Sequence, residues 1–201
     1  MNLVFQLLIL ILSMCYVYGK KVERIAGGKE ASKGQFPFFT QIVTSVFFEG
    51  EIEYYYCGGS LIHASWVLTA AHCLNYTSTS SVLPNKIVIR VFVGLITHYM
   101  YRTRKEDLDL HIIGKTHVHP NFTIIYSDDE KKYIARLEND VALLKTKSPF
   151  YRTRYIDFIK LRPAVGGSSY LCSSGVIVGV GSISITNSSE VSPSVQYAEI
   201  S

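Results

Sequence analysis

The segment WVLTAAHC at residues 66–73 decides how this 201-residue chain folds, because it joins a short run of strand-forming residues to a histidine and a cysteine. Its apolar, aromatic and β-branched residues predict a strand over residues 66–70. His72 beside Cys73 could be half of a metal site, but neither a Cys-x-x-Cys motif nor a second histidine at helical spacing accompanies the pair. The segment therefore predicts a strand that leads to His72, with no metal bound there.

Two further segments carry residues that suit His72. The first is CGGSLI at residues 57–62. A bond between Cys57 and Cys73 would hold the loop of His72 against the neighbouring strand and stabilise the fold by about 3 kcal/mol. The second segment, NDVALLK at residues 139–145, places Asp140 at the start of an apolar strand, where an unpaired acid is costly to bury. A neighbouring imidazole would pair with this acid, which would then fix the tautomer of the ring.

The rest of the chain has the pattern of an all-β protein. Short runs of β-branched and aromatic residues alternate with Gly, Pro or polar clusters, and no helical periodicity is sustained. This pattern predicts a β-barrel or a β-sandwich, with long loops at residues 74–84 and 124–139. Residues 166–194 predict either a linker or the first strands of a second barrel. The predicted strands cover residues 36–48, 54–62, 66–70, 86–93, 110–118 and 141–145.

Composition excludes two classes of protein. Apolar residues make up 48% of the chain and aromatic residues 12%, which excludes a disordered protein. The net charge of +4 is small and scattered, so we expect no nucleic-acid partner.

His111, His117 and His119 raise the question of a metal site, but they fit ordinary strand positions. The sequence therefore predicts no metal and no cofactor.

The first 19 residues predict a secretory signal peptide. Residues 3–17 form an apolar run that is shorter than the about 20 residues needed to span a bilayer. Val17 and Gly19 are the small residues that precede a cut after Gly19. The chain would then be secreted and extracellular, with no membrane attachment once the signal is removed. Removal of Cys15 leaves three cysteines for an oxidising compartment, so one of them lacks a partner. Candidate glycosylation sites are Asn75, Asn121 and Asn187.

Taken together and in this order, the motifs resemble those of the chymotrypsin/trypsin-like serine endopeptidases. The segments around His72 and Asp140 match the family almost letter for letter, with the histidine before the aspartate as this family has them. The resemblance implies an all-β, trypsin-like double β-barrel, with the first barrel complete and the second only begun. Further matching segments are RIAGG at residues 24–28, QFPF at residues 35–38, HPNF at residues 119–122 and VQYAEI at residues 195–200.

The resemblance also implies roles and domain limits. His72 would be the general base, and Asp140 would orient it. An activating trypsin-like protease would cut after Arg24, and the new amino group of Ile25 would be buried against an aspartate beside the nucleophile. Cys57 and Cys73 would form a disulfide. The domains would be a signal peptide at residues 1–19, a short activation propeptide at residues 20–24, the first barrel at residues 25–163 and the start of the second barrel at residues 164–201.

The sequence departs from the family at the nucleophile. The family's serine lies in a Gly-Asp-Ser-Gly-Gly-Pro segment, which these 201 residues do not contain. None of the serines after Asp140 has that context, and SSG at residues 173–175 is a poor substitute. The aspartate that would receive Ile25 and the oxyanion hole are missing with the segment. Cys172 matches a family cysteine whose partner would lie beyond Ser201, so we expect it to be unpaired.

We therefore expect a C-terminally truncated family member. It would act on a protein or peptide substrate if completed, but it should have no peptidase activity as written, because loss of the serine costs about 10⁶-fold in turnover. Two alternatives remain open. One is a non-catalytic serine protease homologue that serves as a binding or decoy module. The other is a partial product without a stable fold, since unpaired strand edges promote aggregation.

Overall fold

The computed structural model describes residues 28–76, 83–101, 109–127, 134–161, 174–181 and 191–200. Short 3₁₀ helices occupy Ala71–Leu74 and Tyr99–Tyr101, and in these ranges no helix is long and apolar enough to cross a membrane. The predicted all-β class is confirmed. The strands are β1 (Lys29–Glu30), β2 (Phe39–Phe47), β3 (Ile52–His63), β4 (Trp66–Thr69), β5 (Lys86–Val93), β6 (Asp109–Val118), β7 (Thr123–Tyr126), β8 (Ile134–Glu138), β9 (Ala142–Thr146), β10 (Gly175–Gly179) and β11 (Gln196–Ile200).

Six strands close a barrel in the order β2-β3-β4-β9-β6-β5, and every neighbouring pair is antiparallel. Strand β2 lies between β3 and β5, so that Ile42 pairs with both Cys57 and Val91. Branched aliphatic side chains fill the barrel, as suits a pleated surface packed on itself. The fully enclosed core residues include Val46, Leu61, Val67, Val91 and Leu144. The strands predicted from the sequence all belong to this barrel.

A second, three-stranded sheet has the order β1-β11-β10. Its central strand, β11, pairs with β10 on one side and with β1 on the other, where Lys29 lies opposite Tyr197. Ala31 and Val195 form a small separate core with Phe39 of the barrel. The composition of residues 166–194 was compatible with a linker or with strands, and residues 175–179 are a strand. Two ends of the chain that are far apart in sequence thus share one sheet.

A β-hairpin replaces the long loop predicted at residues 124–139. Strands β7 and β8 pair with each other alone in the described residues, with Ile124 opposite Leu137. The prediction of a loop was wrong here because the short segments on either side of the charged run at residues 128–132 pair with each other as strands. That run falls within residues 128–133, which lie outside the described residues.

Two adjacent glycines in β3 provide a matched test of barrel packing. A Cβ atom at Gly59 would lie 2.8 Å from Thr40 Oγ1 and 2.9 Å from both the Leu68 carbonyl oxygen and Val67 Cγ1. At Gly58 the nearest atom would be Phe39 Cε2 at 3.4 Å, an ordinary contact. We expect Gly59→Ala to lower the free energy of unfolding by about 1–3 kcal/mol, and Gly58→Ala to change it far less. Urea unfolding measures both, and equal losses would contradict the packing described here.

Candidate active site

Strands β4 and β9 bring His72 and Asp140 together. The two strands are antiparallel, and Thr69 at the end of β4 pairs with Ala142 at the start of β9. Residues that follow Thr69 and residues that precede Ala142 therefore leave the barrel at the same end. His72 comes three residues after Thr69, and Asp140 comes two residues before Ala142. The sheet register thus closes a separation of 68 residues in the sequence.

Asp140 holds His72 by two hydrogen bonds. Its Oδ2 lies 2.7 Å from His72 Nδ1, and its Oδ1 accepts the backbone N–H of His72 at 2.8 Å. Since an ionised carboxylate only accepts hydrogen bonds, Nδ1 carries the proton of the neutral ring, and Nε2 presents its lone pair. The His72 side chain is 47% exposed, whereas that of Asp140 is 21% exposed. The arrangement leaves a fixed, accessible base at Nε2.

The protonation of Asp140 follows from competing effects. Burial raises the pKa of its carboxyl group. The hydrogen bond from the His72 ring, those from the backbone of His72 and Ala71, and the charge interaction with His72 lower it by more. The net pKa lies below the ordinary value for an aspartate, so the carboxylate is ionised at neutral pH. It can therefore stabilise a proton gained by His72.

Asn139 shapes the turn that delivers Asp140, and the sequence patterns had not singled it out. Its backbone has a φ of 51°, in the left-handed region where asparagine is enriched. Its side-chain amide donates to the carbonyl oxygen of Asn121 at 2.9 Å, and the backbone N–H of Val141 donates to the Asn139 carbonyl at 2.8 Å. An asparagine directly before a strand is the sequence signal for such a turn. Asn139 therefore fixes the backbone conformation directly before Asp140.

A disulfide joins Cys57 of β3 to Cys73, the residue after His72, with their Cα atoms 6.2 Å apart. It ties the 3₁₀ helix that carries His72 to the barrel wall. The sulfur atoms and the His72 ring lie within 4.8 Å of one another, a spacing that metal ligands could have. Because both sulfurs belong to the disulfide, neither is available as a thiolate ligand. The residues at this point do not fit a metal ion.

Loss of this disulfide should destabilise the barrel. We expect the Cys57→Ala, Cys73→Ala double variant to lose about 3 kcal/mol of unfolding free energy, because the unfolded chain regains the freedom of the loop between them. Denaturant unfolding with and without a reductant measures the effect. The reductant should reproduce the loss in the unmodified chain and leave the double variant unchanged. If the reductant lowered the free energy of unfolding equally in the unmodified chain and in the double variant, the Cys57–Cys73 disulfide would not be the source of the stabilisation.

The other predicted residues do not join this site. His117 packs its ring against Trp66, and His119 Nδ1 accepts the backbone N–H of Asn121. His111 has partners of its own in the barrel. Asn75 and Asn121, both candidate glycosylation sites, are exposed. Several predictions fall outside the described residues: the signal peptide, the propeptide, Arg24, Ile25, Cys172 and Asn187.

The described part of the SSG segment, a poor substitute for the nucleophile segment by its sequence, lies beside the second sheet. Ser174, the described serine of the SSG segment, is exposed and directly precedes β10. Among the hydrogen bonds of the described residues, the His72 ring bonds to Asp140, and its Nε2 lies 3.7 Å from the disulfide sulfur of Cys73. Within the described residues, the site therefore consists of His72 and the carboxylate of Asp140 that is hydrogen-bonded to it.

Comparison with known proteins places this site in a family. Residues 25–201 match the family model described as Trypsin. The chain is 30% identical over 146 residues to a tryptase of Mus musculus, which is 71% of this chain and 43% of the tryptase. It is 31% identical over 128 residues to the urokinase-type plasminogen activator of Gallus gallus, or 64% of this chain and 26% of the activator. The chain thus spans less than half the length of these curated relatives.

A solved structure titled "Structure of GrC" has the same fold. It aligns with a TM-score of 0.60 at 22% identity and covers 86% of this chain, which in turn covers 63% of that structure. The match between the family model and residues 25–201 extends over the barrel, the second sheet and both residues of the candidate site. The chain belongs to the trypsin family.

Proposed function

We propose that this chain provides the histidine–aspartate part of a secreted trypsin-like serine endopeptidase. The observation that carries the proposal is the pair of hydrogen bonds by which Asp140 fixes the His72 ring, at 2.7 and 2.8 Å. A histidine with Nδ1 bound to a carboxylate and Nε2 open is the arrangement that activates a serine hydroxyl. Membership of the trypsin family supports the same reading, and the substrate would be a protein or peptide.

In this proposal His72 transfers protons and Asp140 supports it. Nε2 of His72 takes the proton of a serine hydroxyl as that oxygen attacks the scissile carbonyl carbon, and later gives a proton to the leaving amine. The ring becomes positively charged between these steps. The Asp140 carboxylate stabilises that charge and keeps the ring in the tautomer that leaves Nε2 free.

The 201 residues alone should not hydrolyse peptide bonds. They contain no Gly-Asp-Ser-Gly-Gly-Pro segment. They therefore also lack the nucleophile and the oxyanion-hole N–H groups that this segment supplies in the family. The activity of a complete enzyme would thus depend on residues other than these. In this proposal, a segment that carries the nucleophile would complete the site by placing its serine against the His72 ring.

The remaining proposals concern processing. We propose that cleavage after Gly19 releases the chain into an extracellular compartment, which the Cys57–Cys73 disulfide suits. Cleavage after Arg24 would then free Ile25 at the start of the first barrel domain. Asn75 and Asn121 are exposed, as glycan attachment requires.

The decisive test is the coding sequence beyond Ser201. If the transcript continues into a Gly-Asp-Ser-Gly-Gly-Pro segment, the product should cut peptide esters after activation at Arg24. A stop codon at that point would show that this product is not a peptidase, and that part of the proposal would be wrong. Monomeric secretion with a cooperative thermal transition would then support a non-catalytic homologue, and aggregation would support a partial product.

A further inference from the structure

A second set of acid, histidine and serine side chains lies elsewhere in the barrel. Nε2 of His111 lies 2.7 Å from Asp109 Oδ1, and Nδ1 of the same ring lies 2.9 Å from Ser148 Oγ. The residue types and the order of contacts are those of an acid–base–nucleophile array. Ser148 is exposed, so a reagent can reach its hydroxyl.

The pairing of β6 with β9 assembles this array. Ile113 of β6 lies opposite Thr146 at the end of β9. Because the strands are antiparallel, His111, two residues before Ile113, meets Ser148, two residues after Thr146. Asp109 follows the alternation of β6 and lies on the same face as His111, two residues away. Asp109 and His111 thus lie on β6 itself, and Ser148 lies in the bend two residues after the end of β9.

Packing fixes the histidine ring. His111 is 8% exposed, and its ring lies on that of Phe150 with their centres 3.8 Å apart. A ring held in this way cannot rotate away from its two partners without disturbing the core. Such preorganisation is what distinguishes a reactive array from a chance contact on a surface.

The hydrogen-bond pattern sets the direction of proton transfer. The Asp109 carboxylate accepts from Nε2–H, so in the neutral ring Nδ1 holds a lone pair and accepts from the Ser148 hydroxyl. The backbone carbonyl oxygen of Ser148 also lies 3.0 Å from Nδ1. Once the serine proton has moved to Nδ1, that N–H can donate to this carbonyl. The charged ring would then be stabilised at both nitrogens.

We propose that Ser148 is a nucleophile that takes an acyl group from activated esters, with His111 as its general base and Asp109 as a positioning residue. Oγ forms a bond to the acyl carbon while the bond from that carbon to the leaving oxygen breaks. The hydroxyl proton moves to Nδ1 of His111 and passes from there to water. The leaving group departs with the electron pair of the broken bond, as a phenolate where the substrate is a phenyl ester, and Ser148 remains as an O-acyl ester.

The acyl group should accumulate on Ser148, because an activated ester loses a good leaving group whereas hydrolysis of the acyl-serine must expel the serine oxygen. Residue 149 is a proline, which has no backbone N–H to stabilise the oxyanion of that slower step. The array also acts apart from His72. Asp140 and Ser148 flank opposite ends of β9, and eight residues at about 3.3 Å each place them up to roughly 26 Å apart. Ser148 is thus a modification site, distinct from the candidate active site.

Acetylation by p-nitrophenyl acetate tests the proposal. The 201-residue chain is treated at neutral pH, and peptide mass spectrometry locates the acetyl groups. Hydroxylamine removes serine esters and leaves lysine amides, which separates Ser148 from its neighbour Lys147. We expect Ser148 to be acetylated about 10²-fold faster than Ser32, a serine that is also exposed, the size of effect that a positioned general base gives.

Variants identify the base. His111→Gln should lower the acetylation rate of Ser148 by about 10²-fold, and His119→Gln, a change at a half-buried histidine outside the array, should leave it unchanged. Should His111→Gln fail to fold, Asp109→Asn tests the same array at a side chain that is 39% exposed. It should slow acetylation without a change in unfolding midpoint, and Asp109→Glu should restore part of the rate. Equal acetylation of Ser148 and Ser32, or no slowing in Asp109→Asn, would overturn the proposal.

Discussion

His72→Ala should lower the rate of peptide hydrolysis by about 10⁶-fold in any form of the protein that carries a serine nucleophile against this ring. The reason is the geometry of Nε2, which is held open by the hydrogen bonds from His72 to Asp140. Without that base the hydroxyl keeps its proton and attacks the carbonyl poorly. In the 201-residue chain the same substitution should change nothing, because no serine there has the family context.

Turnover of an arginine-containing peptide ester measures both cases. His63→Ala is the matched control, since His63 is exposed and its ring stacks on Phe158 rather than on an acid. It should leave the turnover of the longer form intact. If the 201-residue chain itself cuts the ester and loses that activity with His72→Ala, the proposal that these residues alone are inactive is wrong.

Asp140→Asn should cost about 10⁴-fold in turnover of the same longer form, while the fold is retained. An asparagine can keep the contact with the His72 backbone N–H through its oxygen. Its amide NH₂ would then face Nδ1 and force the ring proton onto Nε2, which is the wrong tautomer for a base. The effect should fall on kcat, because the carboxylate supports a charge that arises only during the reaction.

An exposed acid elsewhere provides the control for this variant. Asp157 pairs with Arg152 at 2.8 Å, and its side chain is 54% exposed. Asp157→Asn should leave kcat within experimental error of the unmodified value. A loss in Asp140→Asn that came entirely through KM would contradict the role assigned to the carboxylate.

The barrel strands could be predicted because the residues within each strand favour β-structure by themselves. Strand β5 was predicted at the residues where it occurs, since residues 87–93 are β-branched or aromatic apart from Arg90. The hairpin of β7 and β8 was missed because its two strands are short and are separated by a run of charged residues. The pairing of Lys29 with Tyr197 left no local pattern at all.

The two histidine arrays differ in the same way. His72 and Asp140 could be named from the sequence because each lies in a motif that resembles a known family. Asp109, His111 and Ser148 lie in no such motif, and only the register between β6 and β9 brings the serine to the ring. Sequence patterns predict which residues form strands and turns locally. The register between two strands brings together residues far apart in sequence, and no local pattern predicts which residues will meet.

The pairing of β1 with β11 also determines the order in which the chain can fold. Ribosomes add about 5–20 residues per second, so β9, which completes the barrel, is made well before β11. The barrel can therefore close during synthesis, before β1 has its partner β11. Contacts of such long range form slowly. A change that prevents β11 from forming would leave β1 without that partner, while the strand pairs of the six-stranded barrel would remain.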